Sequence, residues 1–102
     1  MGNYIKVAKT NELENSSAKL VEAEGKSLAL IRCEDSYYAI DNDCTHVGGP
    51  LCEGEISGEE VTCPWHGARF NVKTGEVMGG PARSGVGSYA VRVEGDDIEI
   101  EL

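Results

Sequence analysis

The sequence predicts an all-β chain, and three observations carry that reading. Both flanks break into short runs that alternate apolar and polar residues or are rich in β-branched and aromatic side chains. No stretch sustains an apolar stripe at the helical period of about 3.6 residues. Glycine and proline crowd the middle, residues 48 to 87, where they favour turns over regular structure. One β scaffold carrying a loop-rich insert is the simplest organisation.

In chain order, Tyr4–Lys9 (YIKVAK), Lys19–Glu24 (KLVEAE), Lys26–Cys33 (KSLALIRC) and Ser36–Asp41 (SYYAID) read as strands. Glu24-Gly25 and Glu34-Asp35 are the natural turns between them. The intervening NELENSS has helix-forming residues without periodicity, so at most one helical turn is expected near Glu12–Ser16. At the other end, YAVRVEGDDIEIEL places Tyr89, Val91 and Val93 on one face. It then turns at Gly95-Asp96 and places Ile98 and Ile100 likewise, a β-hairpin signature.

At 102 residues the chain is read as a single domain spanning 1–102. Acidic residues outnumber basic ones 18 to 9, a formal net charge of −9. Nucleic acid and anionic membranes would be repelled, and a partner with a basic docking face is favoured. Apolar runs such as Ser27–Ile31 fall far short of the roughly 20 residues that span a bilayer. The N-terminal stretch lacks a signal-peptide pattern, and Lys6 stands where a myristoylation motif wants Ser or Thr. A cytoplasmic, reducing location is expected, which disfavours a disulfide framework.

Chemistry concentrates at Cys44, His46, Cys63 and His66: C-x-H, sixteen residues, then C-x-x-H, using both histidines of the chain. Thiolates and imidazoles select zinc, copper or iron with sulfide, whereas magnesium and calcium want oxygen ligands. A structural zinc site and an iron-sulfur cluster therefore compete. Zinc knuckles usually separate paired ligands by two or more residues. Ligands one residue apart tend to point the same way about 6–7 Å apart, given a rise of about 3.3 Å per residue, and reach two neighbouring metals more readily than one.

CTHVGGPL (Cys44–Leu51), CPWHGARFNVKTGEV (Cys63–Val77) and GGPA (Gly79–Ala82) together resemble the Rieske [2Fe-2S] family, specifically its soluble single-domain ferredoxins. The resemblance implies the Rieske fold, an antiparallel β-sandwich scaffold with an inserted loop-rich cluster-binding subdomain at about residues 42–82. It implies one [2Fe-2S] cluster, with Cys44 and Cys63 on one iron and His46 and His66 on the other. Two thiolates just cancel the charge of an oxidised core, whereas four leave it negative. An added electron is therefore more welcome, and it settles on the His-bound iron.

High-potential relatives carry a Ser two residues after the second His and a Tyr four after it, whose hydroxyls favour the reduced cluster. Here those positions are Ala68 and Phe70. Such relatives also link the two loops by a disulfide, at positions occupied here by Gly49 and Trp65. A potential near the low end of the family range, roughly −150 to +300 mV, is expected.

Other residues have plainer readings. Cys33 and Cys52 match no ligand position and read as packed thiols, with a bridge between them disfavoured. Gly48, Gly49 and Gly67 suit loops whose N–H groups approach sulfides. Trp65 is read as a cluster shield and aromatic docking surface, with burial in the hairpin core as the rival. Pro81 resembles the family's covering loop, although Gly85 stands where a second Pro is common. Glu53–Glu60 reads either as a solvated hairpin tip or as a docking face.

No histidine remains for the mononuclear iron of an oxygenase, so the chain is expected not to be an enzyme itself. The resemblance implies a one-electron carrier between an NAD(P)H-dependent flavin reductase and a terminal oxygenase of a multicomponent aromatic-ring dioxygenase system. Two alternatives are an accessory subunit, such as the small subunit of a nitrite reductase, and a structural zinc module.

Overall fold

A computed structural model describes residues 3–33, 36–43, 50–65, 67–79 and 85–102. These residues form three antiparallel sheets. The strands are β1 (Tyr4–Lys9), β2 (Ser17–Ala23), β3 (Lys26–Cys33), β4 (Ser36–Asp41), β5 (Glu55–Ser57), β6 (Glu60–Thr62), β7 (Arg69–Asn71), β8 (Val77–Gly79), β9 (Ser88–Tyr89), β10 (Val91–Glu94) and β11 (Asp97–Glu101). The sheet orders are β1-β11-β10, β2-β3-β4-β9 and β5-β6-β7-β8. The third sheet lies wholly between β4 and β9 in sequence, where the loop-rich insert was expected. No helix among the described residues is long and apolar enough to cross a membrane.

The layering follows from β3 and β4. Side chains alternate across a strand, and on β3 both sets are apolar. Leu28 and Leu30 join one core with Ala8, Val21, Ala39, Ile98 and Ile100. Ala29, Ile31 and Cys33 join a second core with Ile40, Leu51, Val61, Cys63, Ala68, Phe70 and Val72. The continuous apolar run of this strand reflects a middle layer covered on both faces.

The predicted strands Tyr4–Lys9, Lys26–Cys33 and Ser36–Asp41 are reproduced. β2 starts earlier than expected, because Ser17 and Ala18 find cross-strand partners in Arg32 and Ile31. The helical turn lies at Thr10–Glu12 as a single 3-10 turn, ahead of the expected position. The Glu34-Asp35 turn lies outside the described residues.

The C-terminal hairpin turns at Gly95-Asp96 as expected, but Tyr89 leaves it. As part of β9, Tyr89 pairs with Ala39 of β4, and the chain changes sheets before Val91. Val93 remains 43% exposed, because β10 is a sheet edge whose outer side nothing covers among the described residues.

The β4–β9 junction is tied by side chains as well as by backbone. The Tyr89 hydroxyl donates to Asp41 Oδ1 at 2.7 Å. Burial, then the hydrogen bond to Asp41 and its charge, push the Tyr89 phenol up to about 12. The folded chain thus holds this proton more tightly than the unfolded chain, whose tyrosines titrate near about 10. That stabilisation is present in full below about pH 10 and is lost as the pH rises through about 12. The Lys26 ammonium, 5.9 Å from the ring centroid, keeps an aromatic neighbour in Tyr89→Phe. Denaturant unfolding from pH 9 to 12 should show the wild type losing stability faster than Tyr89→Phe; parallel curves contradict the linkage.

Candidate metal centre

Three loops leave the β scaffold near the second core, and each is closed at its base by hydrogen bonds that the sequence provides locally. Just after β4, Asn42 is buried at 6% exposure. Its carbonyl accepts the Leu51 N–H at 2.7 Å, and its Oδ1 accepts the Cys52 N–H at 2.8 Å. Asp43 and Pro50 form an isolated antiparallel bridge one step further out. These contacts pair the chain on either side of residues 44–49, and past Pro50 it makes a 3-10 turn at Leu51–Glu53 whose Leu51 is fully buried.

The second loop is tighter. Cys63 follows β6, donates its N–H to the Ala68 carbonyl at 2.7 Å and accepts the Gly67 N–H at 3.1 Å. Gly67 turns the chain with φ +77°, a left-handed conformation that glycine adopts without cost. The two stems touch: a Cβ on Gly54, just past the first, would collide with the Thr62 carbonyl oxygen, just before the second. Gly54 is thus required for the loops to stand side by side.

After β8 the described chain resumes at Gly85. The Val86 N–H donates to the Gly75 carbonyl at 2.8 Å. Gly85 lies so close to that carbonyl that any Cβ would collide with it, which excludes the proline expected at this position by resemblance. A backbone-to-backbone approach fastens the loop base instead.

Of the four predicted ligands, Cys63 is described; Cys44, His46 and His66 lie outside the described residues, as do Gly48, Gly49 and Pro81. Cys63 is 1% exposed within the second core. The other two described thiols form no disulfide and are otherwise engaged. The Cys33 thiol donates to the Gly58 carbonyl. Burial, then the charge of Glu53, hold the Cys52 thiol above its ordinary range, so it stays protonated and a poor metal ligand at neutral pH. Cys63 has no hydrogen-bond partner for its sulfur among the described residues. A buried thiol left in this way, beside a glycine-turned loop, fits a soft metal group.

The surroundings are apolar where hydroxyls were expected to be missing: Ala68 and Phe70 are both fully buried in the Cys63 core. Trp65 is 58% exposed, which rules out burial in the hairpin core. The acidic run folds as the β5–β6 hairpin. Glu59 pairs with Lys73 at 2.8 Å and Glu60 with Arg69 at 3.4 Å, leaving Glu53 and Glu55 exposed.

The sequence reading missed Asn42 and Asp41. Their signal is a polar pair directly after an apolar strand and directly before the C-x-H motif.

The Rieske [2Fe-2S] domain family matches residues 3–90. The chain belongs to this family. A curated relative, the ferredoxin component of the naphthalene 1,2-dioxygenase system of Pseudomonas aeruginosa, is 40% identical over 82 residues, 80% of this chain and 79% of the relative. The ferredoxin of carbazole 1,9a-dioxygenase from Nocardioides aromaticivorans superposes with a TM-score of 0.91 at 32% identity, covering 96% of each chain. A chain from the complex of reduced oxygenase and oxidized ferredoxin in carbazole 1,9a-dioxygenase gives 0.90 at 30% identity, over 96% of this chain and 92% of the other. The cofactor of this Rieske protein is a [2Fe-2S] cluster, and the chain is an electron carrier rather than an enzyme.

The two stem glycines of the Rieske site differ in what a side chain would cost. Among the described residues nothing lies within 4 Å of a Cβ on Gly67, so Gly67→Ala should cost only the left-handed backbone, about 1–2 kcal/mol. Gly54, at an ordinary φ of −77°, incurs no backbone cost, but Gly54→Ala collides with the main chain and should cost more, about 3 kcal/mol. Denaturant unfolding of both variants checks the order, and a reversed order contradicts the stem packing.

Proposed function

We propose that this chain is a low-potential one-electron carrier of an aromatic-ring dioxygenase system. It takes electrons from an NAD(P)H-dependent flavin reductase and delivers them to a terminal oxygenase. The whole chain, residues 1–102, serves as one Rieske domain in the cytoplasm. Cys44 and Cys63 hold one iron, and His46 and His66 the other.

The observation that carries this reading is the buried Cys63 in a core shared with Leu51, with the chain after the first motif and the chain before the second held together by the Gly54–Thr62 approach. A C-x-H and a C-x-x-H motif that supply two thiolates and two imidazoles suit a two-metal cluster better than a single ion. When bound, the cluster accepts and releases one electron at a time.

The chain's own residues set where that exchange is favourable and with whom. Ala68 and Phe70 put no hydroxyl beside the sulfurs, so the extra negative charge of the reduced state is less well solvated by the protein. Trp65, exposed beside His66, presents an aromatic contact surface at the electron port. Glu53 and Glu55 add to the net charge of −9 that favours a basic docking face.

Redox titration should give uptake of one electron per chain at a potential in the lower part of the range of roughly −150 to +300 mV; a value well above zero contradicts the low-potential reading. His46→Cys should retain iron and lower the potential, since a thiolate adds negative charge to the electron-accepting iron. Full occupancy with an unchanged potential contradicts the ligand assignment.

A further inference from the structure

Asp41 and Asn42 are consecutive, and their side chains go to two different loops. Asn42 is the buried polar side chain of the described residues, and such a group is costly unless satisfied. Its Oδ1 accepts the Cys52 N–H at 2.8 Å, while the Asn42 main-chain carbonyl accepts the Leu51 N–H at 2.7 Å. Its own N–H donates to the Ser27 carbonyl at 3.1 Å, which roots it in the middle sheet.

Asp41 reaches the other way. Its N–H donates to the Gly87 carbonyl at 2.9 Å, its Oδ2 accepts the Gly87 N–H at 2.9 Å, and its Oδ1 accepts the Tyr89 hydroxyl at 2.7 Å. Gly87 stands two residues past Gly85, where the described chain resumes after β8. A Cβ on Gly87 would lie 2.8 Å from Asp41 Oδ2, so the carboxylate seats directly on that main chain. Five of these six hydrogen bonds join a segment that returns from a loop to the two residues preceding Asp43 and Cys44.

We propose that Asp41, Asn42 and Tyr89 form a positioning clamp for the metal centre, in which Asn42 ties Leu51 and Cys52, and Asp41 with Tyr89 ties Gly87, to the chain just before Cys44. They act as positioning residues, by fixing that chain, and not as ligands. The burial that holds the Tyr89 proton keeps it a donor throughout the neutral range. The inference rests on the ligand reading above only in naming which metal the clamp protects.

The test compares metal release into a chelator, thermal unfolding, reduction potential and amide hydrogen exchange across five variants of the metal-loaded chain. Asp41→Leu and Asn42→Leu should release metal about tenfold faster, the scale seen when groups supporting ligands are lost. Tyr89→Phe, missing one hydrogen bond, should release it about threefold faster. Asp41→Asn should stay within about twofold, because its oxygen still accepts from Gly87 and its amide can donate to the Tyr89 hydroxyl. Ile98→Val, a small cavity in the other core, should lower the melting temperature without changing release or potential.

Release that follows thermal stability across all variants, Ile98→Val included, overturns the clamp, as does Tyr89→Phe matching the wild type. Should the leucine variants fail to fold, Tyr89→Phe and Asp41→Asn carry the comparison. Exchange of the Leu51, Cys52 and Gly87 amides reads the clamp whichever metal is bound. A chain that binds only zinc would therefore sink the ligand reading while still deciding this one.

Discussion

The structure depends on one strand being buried on both faces. β3 sends Leu28 and Leu30 to one core and Ala29, Ile31 and Cys33 to the other, and β4 divides Ala39 and Ile40 in the same way. Burying an aliphatic side chain is worth about 1.5–3 kcal/mol, and here both sides of the strand gain it. The middle sheet thereby becomes the fixed reference to which everything else is attached. β10 and β11 close over one side, and the β5–β8 sheet over the other.

The metal loops inherit their placement from that middle layer. β4 ends at Asp41 and Asn42 follows it, so the chain toward Cys44 leaves directly from the middle sheet. Cys63 and Leu51 enter the same core from two different loops, and the Gly54–Thr62 approach sets how far apart their stems are. Backbone hydrogen bonds close each base, which leaves the loop tips to carry chemistry on a scaffold that does not need them for stability. This division of labour suits a carrier: a ligand site held in place with little reorganisation between charge states is one that exchanges electrons readily.

Much of this was legible in the sequence, and the legible part has a common cause. β3, β4 and the C-terminal hairpin announce themselves because their patterns arise from burial, which acts on consecutive residues. The ligand motif is legible because metal chemistry restricts residue type and spacing together. Tyr89 was assigned to the wrong sheet, since a strand that changes sheets at Ala90 keeps its apolar alternation through the switch. The roles of Gly54 and Gly85 were hidden because the atoms they avoid, the carbonyls of Thr62 and Gly75, are remote in sequence and belong to the main chain. Asp41 and Asn42 were hidden for a similar reason: their partners are backbone groups that carry no side-chain signature.

The ligand set ties fold to function, for it is the exchange of two thiolates for two imidazoles that makes the electron enter at one particular iron. The four proposed ligands divide into one Cys and one His from each motif, and Cys63, the described member, is buried in the second core. The measurement that reaches this claim most directly is the EPR spectrum of the dithionite-reduced protein, recorded with and without nitrogen-15 labelling of histidine. The account predicts one spin per chain, an average g value below that of all-cysteine clusters, and hyperfine coupling to two histidine nitrogens. An all-cysteine signature, or a spectrum indifferent to the histidine label, would contradict it.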